Sequence, residues 1–307
     1  MLRILTYHRV ADFRTTPKLH PRIISATPEN FARQMRHLAK HYCVISMEEV
    51  LNAIERKTRL PEKAVLITFD DGYIDFDEIA WPILQYYRLP VTLFVPTAYP
   101  DQPERMFWWD RLYRAMTFSR RAEWNSATLG ALSLRTSEQR DHGLRLVQRH
   151  VKTLAHTEAM RLVDEVCQTL GEEHEAGKTV LSWEELRRLA KDGVTIGPHT
   201  QTHPILTRLS EDAARSEISG SLADLRRELG NVLPIFCYPD GGHNQKIVNL
   251  IRQNDCRLAF TTMRGFNHFG AIDPLRLHRN NVSRNSSLPI FRLRLLPLMS
   301  YLESWRD

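Results

Sequence analysis

Short runs of apolar, β-favouring residues alternate along this chain with stretches of helical periodicity. Residues 2–7, 64–69, 90–95, 194–197, 234–238, 257–262 and 275–277 read as strands, several of them continuous apolar runs of the kind that burial on both faces produces. Between them, Phe31, Met35, Leu38 and Tyr42 fall on one helical face, and Met47 to Ile54 forms a second short helix. Ile79, Ile83 and Tyr87 predict a third over about 75–87, despite Pro82. Ser182-Trp-Glu-Glu185 has the pattern of a capping box, opening a helix that runs through Leu189 and stops near Gly193. Ala214, Ile218, Leu222, Leu225 and Leu229 define another, opened by Ser210 and closed by Gly230, and one more spans about 245–254. Alternation of strand and helix implies a parallel sheet. About seven strands, with boundaries good to a few residues, point to a single α/β domain over 1–307, an irregular or incompletely closed barrel in preference to two domains.

From about Ala98 to Val180 the rhythm breaks. Pro100, Pro103 and the cluster Phe107-Trp108-Trp109-Asp110 lead into a charged stretch with helical periodicity at Leu144, Val147, Val151 and Leu154, which predicts an inserted, mostly helical subdomain. A C-terminal tail occupies about 284–307. Its segment Leu288-Pro-Ile-Phe-Arg-Leu-Arg-Leu-Leu-Pro297 and the apolar residues up to Trp305 suit either packing on the barrel or peripheral contact with a membrane or partner; two prolines and no clean charged face favour packing.

Composition narrows the class. Hydrophobic content of 42% with 25% charged residues is that of an ordinary globular chain, and no 18-residue uncharged apolar run exists, so no membrane span is expected. The N-terminus turns polar too early for a secretory signal and reads as a buried strand, which leads us to expect a cytoplasmic protein. Cys43, Cys167, Cys237 and Cys256 form no Cys-x-x-Cys pair and argue against a disulfide framework or zinc knuckle. A net charge of +6 is spread without basic blocks, so no nucleic-acid partner is expected.

The candidate chemistry begins where the run Ala64-Val-Leu-Ile-Thr-Phe69 drives into Asp70-Asp71-Gly72. A strand end at the carboxyl edge of a sheet is where α/β enzymes gather catalytic side chains, and two adjacent carboxylates call for a positive partner such as a metal ion. A surface turn fits the same three residues equally well. His199-Thr-Gln-Thr-His203 follows the strand at 194–197 and spaces two imidazoles as a metal-binding pair requires. A parallel sheet puts both motifs at the same end. Two histidines and one carboxylate leave open positions on zinc for water and substrate.

With these residues in view the chain resembles the polysaccharide deacetylases, or NodB-homology domains. The resemblance rests on Thr68-Phe-Asp-Asp-Gly72, His199-Thr-Gln-Thr-His203-Pro204, Cys237-Tyr-Pro-Asp-Gly241 and Leu275-Arg-Leu-His278, in that family's order. It implies a deformed (β/α)7 barrel, with a mostly helical insertion at about 98–180, and a metal-dependent hydrolase that removes an N-acetyl group from an amino sugar. The sugar would belong to a polysaccharide, glycolipid or sugar-nucleotide precursor. By the same resemblance Asp71, His199 and His203 hold Zn²⁺ or another divalent metal such as Co²⁺, and Asp70 is the catalytic base. His278 is the acid that protonates the departing amine, the backbone amide of Asp240 faces the oxyanion, and Tyr238 belongs to the same site. Asp273 is the nearest acidic partner for His278, in an Asp-Pro setting that suits a loop turn equally well.

Cys237 stands where the family often carries the arginine that orients the catalytic aspartate, so what holds Asp70 is open. That departure keeps alive a catalytically silent carbohydrate-binding barrel, and the same water, base and metal would also serve deformylation of a formamido sugar. His8 resembles the family's Tyr-His pair, either lining the pocket or serving as a structural histidine. Trp108 and Trp109 suit an anchor to the core better than a sugar platform.

Overall fold

Seven short parallel strands carry the fold: β1 (Arg3–Tyr7), β2 (Ala64–Phe69), β3 (Thr92–Val95), β4 (Thr195–Pro198), β5 (Ile235–Cys237), β6 (Leu258–Phe260) and β7 (Asn280–Asn281). The computed structural model describes residues 1–171, 177–268 and 270–296. One sheet runs in the order β7-β1-β2-β3-β4, and β5 pairs with β6 in a second. A parallel bridge between Phe260 and Leu277 ties β6 to the segment that leads into β7. β4 and β5 touch without forming a ladder among the described residues. The result is a deformed (β/α)7 barrel, joined among the described residues by ladders or bridges at every seam except that between β4 and β5.

Register sorts the side chains. β1 and β2 pair from Arg3 opposite Val65 to Tyr7 opposite Phe69, and residues two apart along a strand share a face. Leu2, Ile4, Leu66, Phe94, Ile235, Cys237, Phe260 and Leu277 pack as the barrel interior. Leu5, Tyr7, Val65, Ile67 and Phe69 point outward to meet α1 (Pro28–His41) through Phe31, Met35 and Leu38. The same period of two carries the inward set on to Thr6 and His8 beyond Ile4, and to Thr68 and Asp70 beyond Leu66.

The helices start where local chemistry puts them. Thr27 caps α1, Ser46 and Glu49 form a capping box for α2 (Met47–Glu55), and Ser182 and Glu185 form the expected one for α7 (Trp183–Lys191). Ser210 caps α8 (Glu211–Leu229), and Asn244 caps α9 (Gln245–Gln253). The helix around Pro82 exists because a π-helical turn, Phe76–Ala80, precedes α3 (Trp81–Tyr86) and places the proline at its first turn, where its missing N–H is not needed.

Two expectations change. The last strand is not at 275–277: Asp273 caps a 3₁₀ turn over Pro274–Arg276 by accepting from Leu275 N–H, and pairing with β1 begins only at β7. The insertion is helical, with α4 (Trp108–Phe118), α5 (Ser137–Val151) and α6 (His156–Leu170), but it also contains an antiparallel hairpin of Glu123–Ser126 and Gly130–Ser133. Leu112, Met116, Trp124, Val147 and Val163 give it its own core. At the chain's end α10 (Leu288–Arg294) packs on the barrel through Phe291 and Leu295; residues 297–307 lie outside the described ones.

A buried charge network fastens the insertion to the barrel. Arg9 donates to Asp75 at 2.9 Å, approaches Asp110 of α4 at 3.8 Å and lies 3.6 Å over the Tyr73 ring. The Tyr73 hydroxyl donates to Asp110 and accepts from the Trp109 indole. Removing one partner of a buried pair strands the other's charge. Arg9→Ala should therefore lower the unfolding free energy by about 3–5 kcal/mol, read from urea denaturation at neutral pH.

Candidate active site

Asp70 and Asp71 leave β2 at the carboxyl end of the barrel, and the Asp70 amide continues the ladder by donating to Tyr7 O at 2.9 Å. Both carboxylates are buried. Asp70 is spanned by Arg279, whose Nη1 donates to Oδ1 at 2.8 Å and Nη2 to Oδ2 at 2.7 Å. Arg279 is itself fixed by donating from Nε to Thr261 O and from Nη1 to Thr68 Oγ1. Burial alone would raise the Asp70 pKa, but the paired guanidinium outweighs it and holds the group well below the usual carboxylate range. The group that holds Asp70 therefore comes from the segment ahead of β7, not from position 237. Cys237 is buried under Asp70, with Sγ 3.8 Å from each carboxylate oxygen, while the guanidinium comes from the approach to β7.

Asp71 takes a left-handed backbone, φ 76°, and turns toward the histidines. Its Oδ1 lies 3.3 Å from His203 Nε2 and 3.8 Å from His199 Nε2. His199 Nδ1 donates to Cys237 O at 2.8 Å, which fixes the tautomer and presents Nε2 to Asp71. Burial, then the neighbouring His203, lowers the His199 pKa to about 4, so its ring is neutral and its lone pair available. His203 is wedged against Trp109, with ring centroids 4.8 Å apart.

The His199–His203 loop is held by groups that its own sequence does not contain. Glu217 of α8 accepts from the amides of Gln201 and Thr202 and from the Thr202 hydroxyl, and Asp224 accepts from Gln201 Nε2 and Thr97 Oγ1. Gly220 of α8 admits Gln201, whose carboxamide would lie 2.4 Å from any Cβ there. Asp71, Thr200, His203 and Asp240 are four of the eight non-glycine residues with positive φ among those described, so backbone strain is concentrated at this site.

Two triads of donor atoms converge: Asp71 with His199 and His203, and Asp70 with His199 and Cys237. The second does not suit a metal, because Arg279 occupies the Asp70 carboxylate and burial pushes the Cys237 thiol well above its ordinary pKa, keeping it protonated. The first fits. Asp71 Oδ1 is buried without a hydrogen-bond donor, both histidines aim Nε2 at it, and one carboxylate with two imidazoles is a donor set for Zn²⁺ or a similar divalent ion.

These groups line a cavity of about 400 Å³. His8, Thr6, Asp70, Asp71, His199 and His203 form its floor, and Trp108, Trp109, Gln148 and Lys152 of the insertion form one wall. Trp109 is buried and stacks on Phe107, so it is an anchor first. Lys152 pairs with Asp240 at 2.5 Å, joining the insertion to the Pro239–Gly241 turn. In that turn Gly241, φ +70°, meets Thr262 too closely for any side chain, and the Gly241 and Gly242 amides are spent on Tyr238 O and Pro239 O. Among the described residues this leaves the Asp240 amide unused by the turn.

His278 does not reach the cavity. Successive side chains of an extended segment face opposite ways; Arg279 points inward to Asp70, so His278 points away, against Gly265, and only its backbone is fixed, by Asn267. Asp273 serves its turn and does not partner His278. Tyr238 lines the cavity, but its hydroxyl is committed to Leu275 O at 2.9 Å. Arg279, Glu217 and Asp224 were missed by sequence reasoning. The one available signal for Arg279 was an arginine two residues after the inward Leu277.

Comparison with known proteins follows the same outline. The polysaccharide deacetylase family profile matches residues 57–259. The chain is 31% identical over 99 residues to the Escherichia coli K12 poly-β-1,6-N-acetyl-D-glucosamine N-deacetylase, a match covering 32% of this chain and only 14% of that protein. Among solved structures, the Streptococcus pyogenes deacetylase PplD superposes with a TM-score of 0.65 at 21% identity, over 96% of this chain and 98% of that one. IcaB from Ammonifex degensii does so at 0.62 and 19%, over 96% and 97%. At these identities the structures support the fold. Both His8 and Arg279 fall outside the matched residues.

The cavity wall supplies a pH signature. Buried His20 accepts from Arg22 N at Nδ1, which leaves its proton on Nε2, 3.0 Å from the Gln148 carboxamide. Burial, then the charge of Arg22, lowers its pKa to about 4. The unfolded chain gains this proton near pH 6.5 and the folded one only near 4, so the stabilising contribution is whole above 6.5 and lost as pH falls through that window, up to about 3 kcal/mol. Urea midpoints measured from pH 7 to 4.5 should fall for the wild type and fall less steeply for His20→Gln.

Proposed function

The chain belongs to the polysaccharide deacetylase family, and from that premise we propose that it removes the N-acetyl group from an amino sugar of a polysaccharide or its precursor. The observation that carries this reading is the convergence of Asp71, His199 and His203 beside the Asp70–Arg279 pair in one cavity. A divalent cation held by Asp71, His199 and His203 would act as a Lewis acid toward the amide carbonyl and make a neighbouring water more acidic.

The chain's own residues do the rest. Asp70 is ionised at any working pH, and Arg279 with the Cys237 thiol takes three of the four lone-pair sites of its carboxylate, so the remaining one can accept the proton of the attacking water. Its basicity is weak for the same reason, and its task is to orient the water as well as to deprotonate it. As the water oxygen bonds to the acyl carbon, the carbonyl oxygen needs a donor, and we assign the Asp240 amide, which its own turn does not use and whose residue lines the cavity. The carbon–nitrogen bond then breaks, and the nitrogen must gain a proton. His8, on the cavity floor and close enough to lower the pKa of both aspartates, is the donor in place of His278. Acetate and a free amino sugar are the products.

The Asp70–Arg279 pair weighs against a silent barrel, since a buried ion pair beside the histidines maintains the base that Cys237 put in doubt. A formyl group would need the same apparatus, so acetate and formate release should be compared directly on N-acyl amino sugars. Stripping metal should abolish acetate release and Zn²⁺ or Co²⁺ should restore it; activity indifferent to chelation would sink this mechanism. Asp71→Ala should lose metal by elemental analysis. Asp70→Asn should retain metal but turn over about 10²–10⁴-fold more slowly.

A further inference from the structure

α1 and α10 lie side by side on the outside of the barrel. Asn30 and Gln34 of α1 both donate to Ser286 O, just ahead of α10. One turn further along, His37 lies close enough to Arg292 that this charge, after burial, lowers its pKa. The two helices therefore run in the same direction, with Phe31, Met35, Leu38, Phe291 and Leu295 on their inward faces.

Their outward faces differ in a complementary way. Ile290, Leu293 and Leu296, at intervals of three, are 42%, 46% and 48% exposed and form an apolar row along and just past α10. Arg33, Arg36 and Lys40, at i, i+3 and i+7, form an exposed cationic row along α1, and exposed Arg292 joins it from α10. None of these four cations has an ion-pair partner among the described residues. Glu29 is the single carboxylate on either helix.

We propose that this two-helix face docks on an anionic lipid bilayer. An apolar row flanked by cations is what an interfacial surface requires: the aliphatic side chains enter the boundary between headgroups and acyl chains, and the cations meet phosphate. A row three side chains long is too narrow for a stable protein partner, which needs about 800 Å² per side. Two copies meeting here would oppose cation to cation. Further along the sequence Tyr301 and Trp305 are of the residue types enriched at bilayer interfaces. Docking through the flank of the barrel leaves its carboxyl end, and so the cavity, open beside the lipid surface.

The test is co-sedimentation of the full chain with phosphatidylcholine vesicles, with and without phosphatidylglycerol, at low and high salt. Binding should require the anionic lipid and weaken with salt. The triple variant Arg33→Gln, Arg36→Gln, Lys40→Gln should bind about a hundredfold more weakly, and Leu293→Ser about tenfold. All four positions are exposed, so thermal unfolding should not change. Equal binding to neutral vesicles, or anionic binding that survives both variants, overturns the proposal. So does an absence of vesicle binding with dimerisation by sedimentation velocity, which would make this face a contact between copies.

Discussion

The Asp70 carboxylate and the Arg279 guanidinium meet inside the barrel across 209 residues of sequence, and the candidate site depends on that meeting. Two adjacent carboxylates at a strand end would repel each other and, buried, would favour protonation. Arg279 spans one of them, so Asp70 stays ionised and Asp71 is left to the histidines. The same guanidinium bonds Thr261 O and Thr68 Oγ1, and so it also ties β2 to the segment following β6, beside the Phe260–Leu277 bridge and the Arg279 N–H that donates to Met263 O. A buried pair of this kind does not by itself favour the fold over apolar packing. What it specifies is geometry, with both carboxylate oxygens fixed to within a hydrogen-bond length.

The donor atoms around Asp71 are fixed by a different device. His199 is steered by a backbone carbonyl, and His203 sits at the end of a loop whose amides are gripped by Glu217. Thr200 and His203 are both in the left-handed region, which β-branched and bulky side chains disfavour. The loop's hydrogen bonds to Glu217 of α8 hold it in that conformation.

Enclosure comes from the insertion. Its helices pack on their own core and meet the barrel through the aromatic cluster of Tyr73, Phe107 and Trp109 and through polar contacts, among them Arg9 with Asp110, His20 with Gln148 and Lys152 with Asp240. Lys152 and Asp240 are both well exposed, and such a pair contributes little to stability. The buried Arg9 network holds the insertion in place, and the outer pair only trims the cavity mouth.

Much of this was determined by sequence alone. The apolar run into Asp70-Asp71-Gly72, the Ser182–Glu185 capping box and the His199–His203 spacing are local patterns, and their physical causes lie within a few residues of one another. The alternation of strands and helices fixed the parallel barrel for the same reason. The identity of the group that holds Asp70 was not local. A period of two states which residues share a face of a strand, but not which face is inside, and a shift of one residue exchanges the two. Only the register of β7 against β1, set by the 3₁₀ turn at Pro274–Arg276, decided that Arg279 enters the barrel and His278 leaves it. Glu217, Asp224 and Arg9 were likewise invisible, because a charged residue on a helix or after a strand acquires a partner only when the tertiary structure brings one within reach.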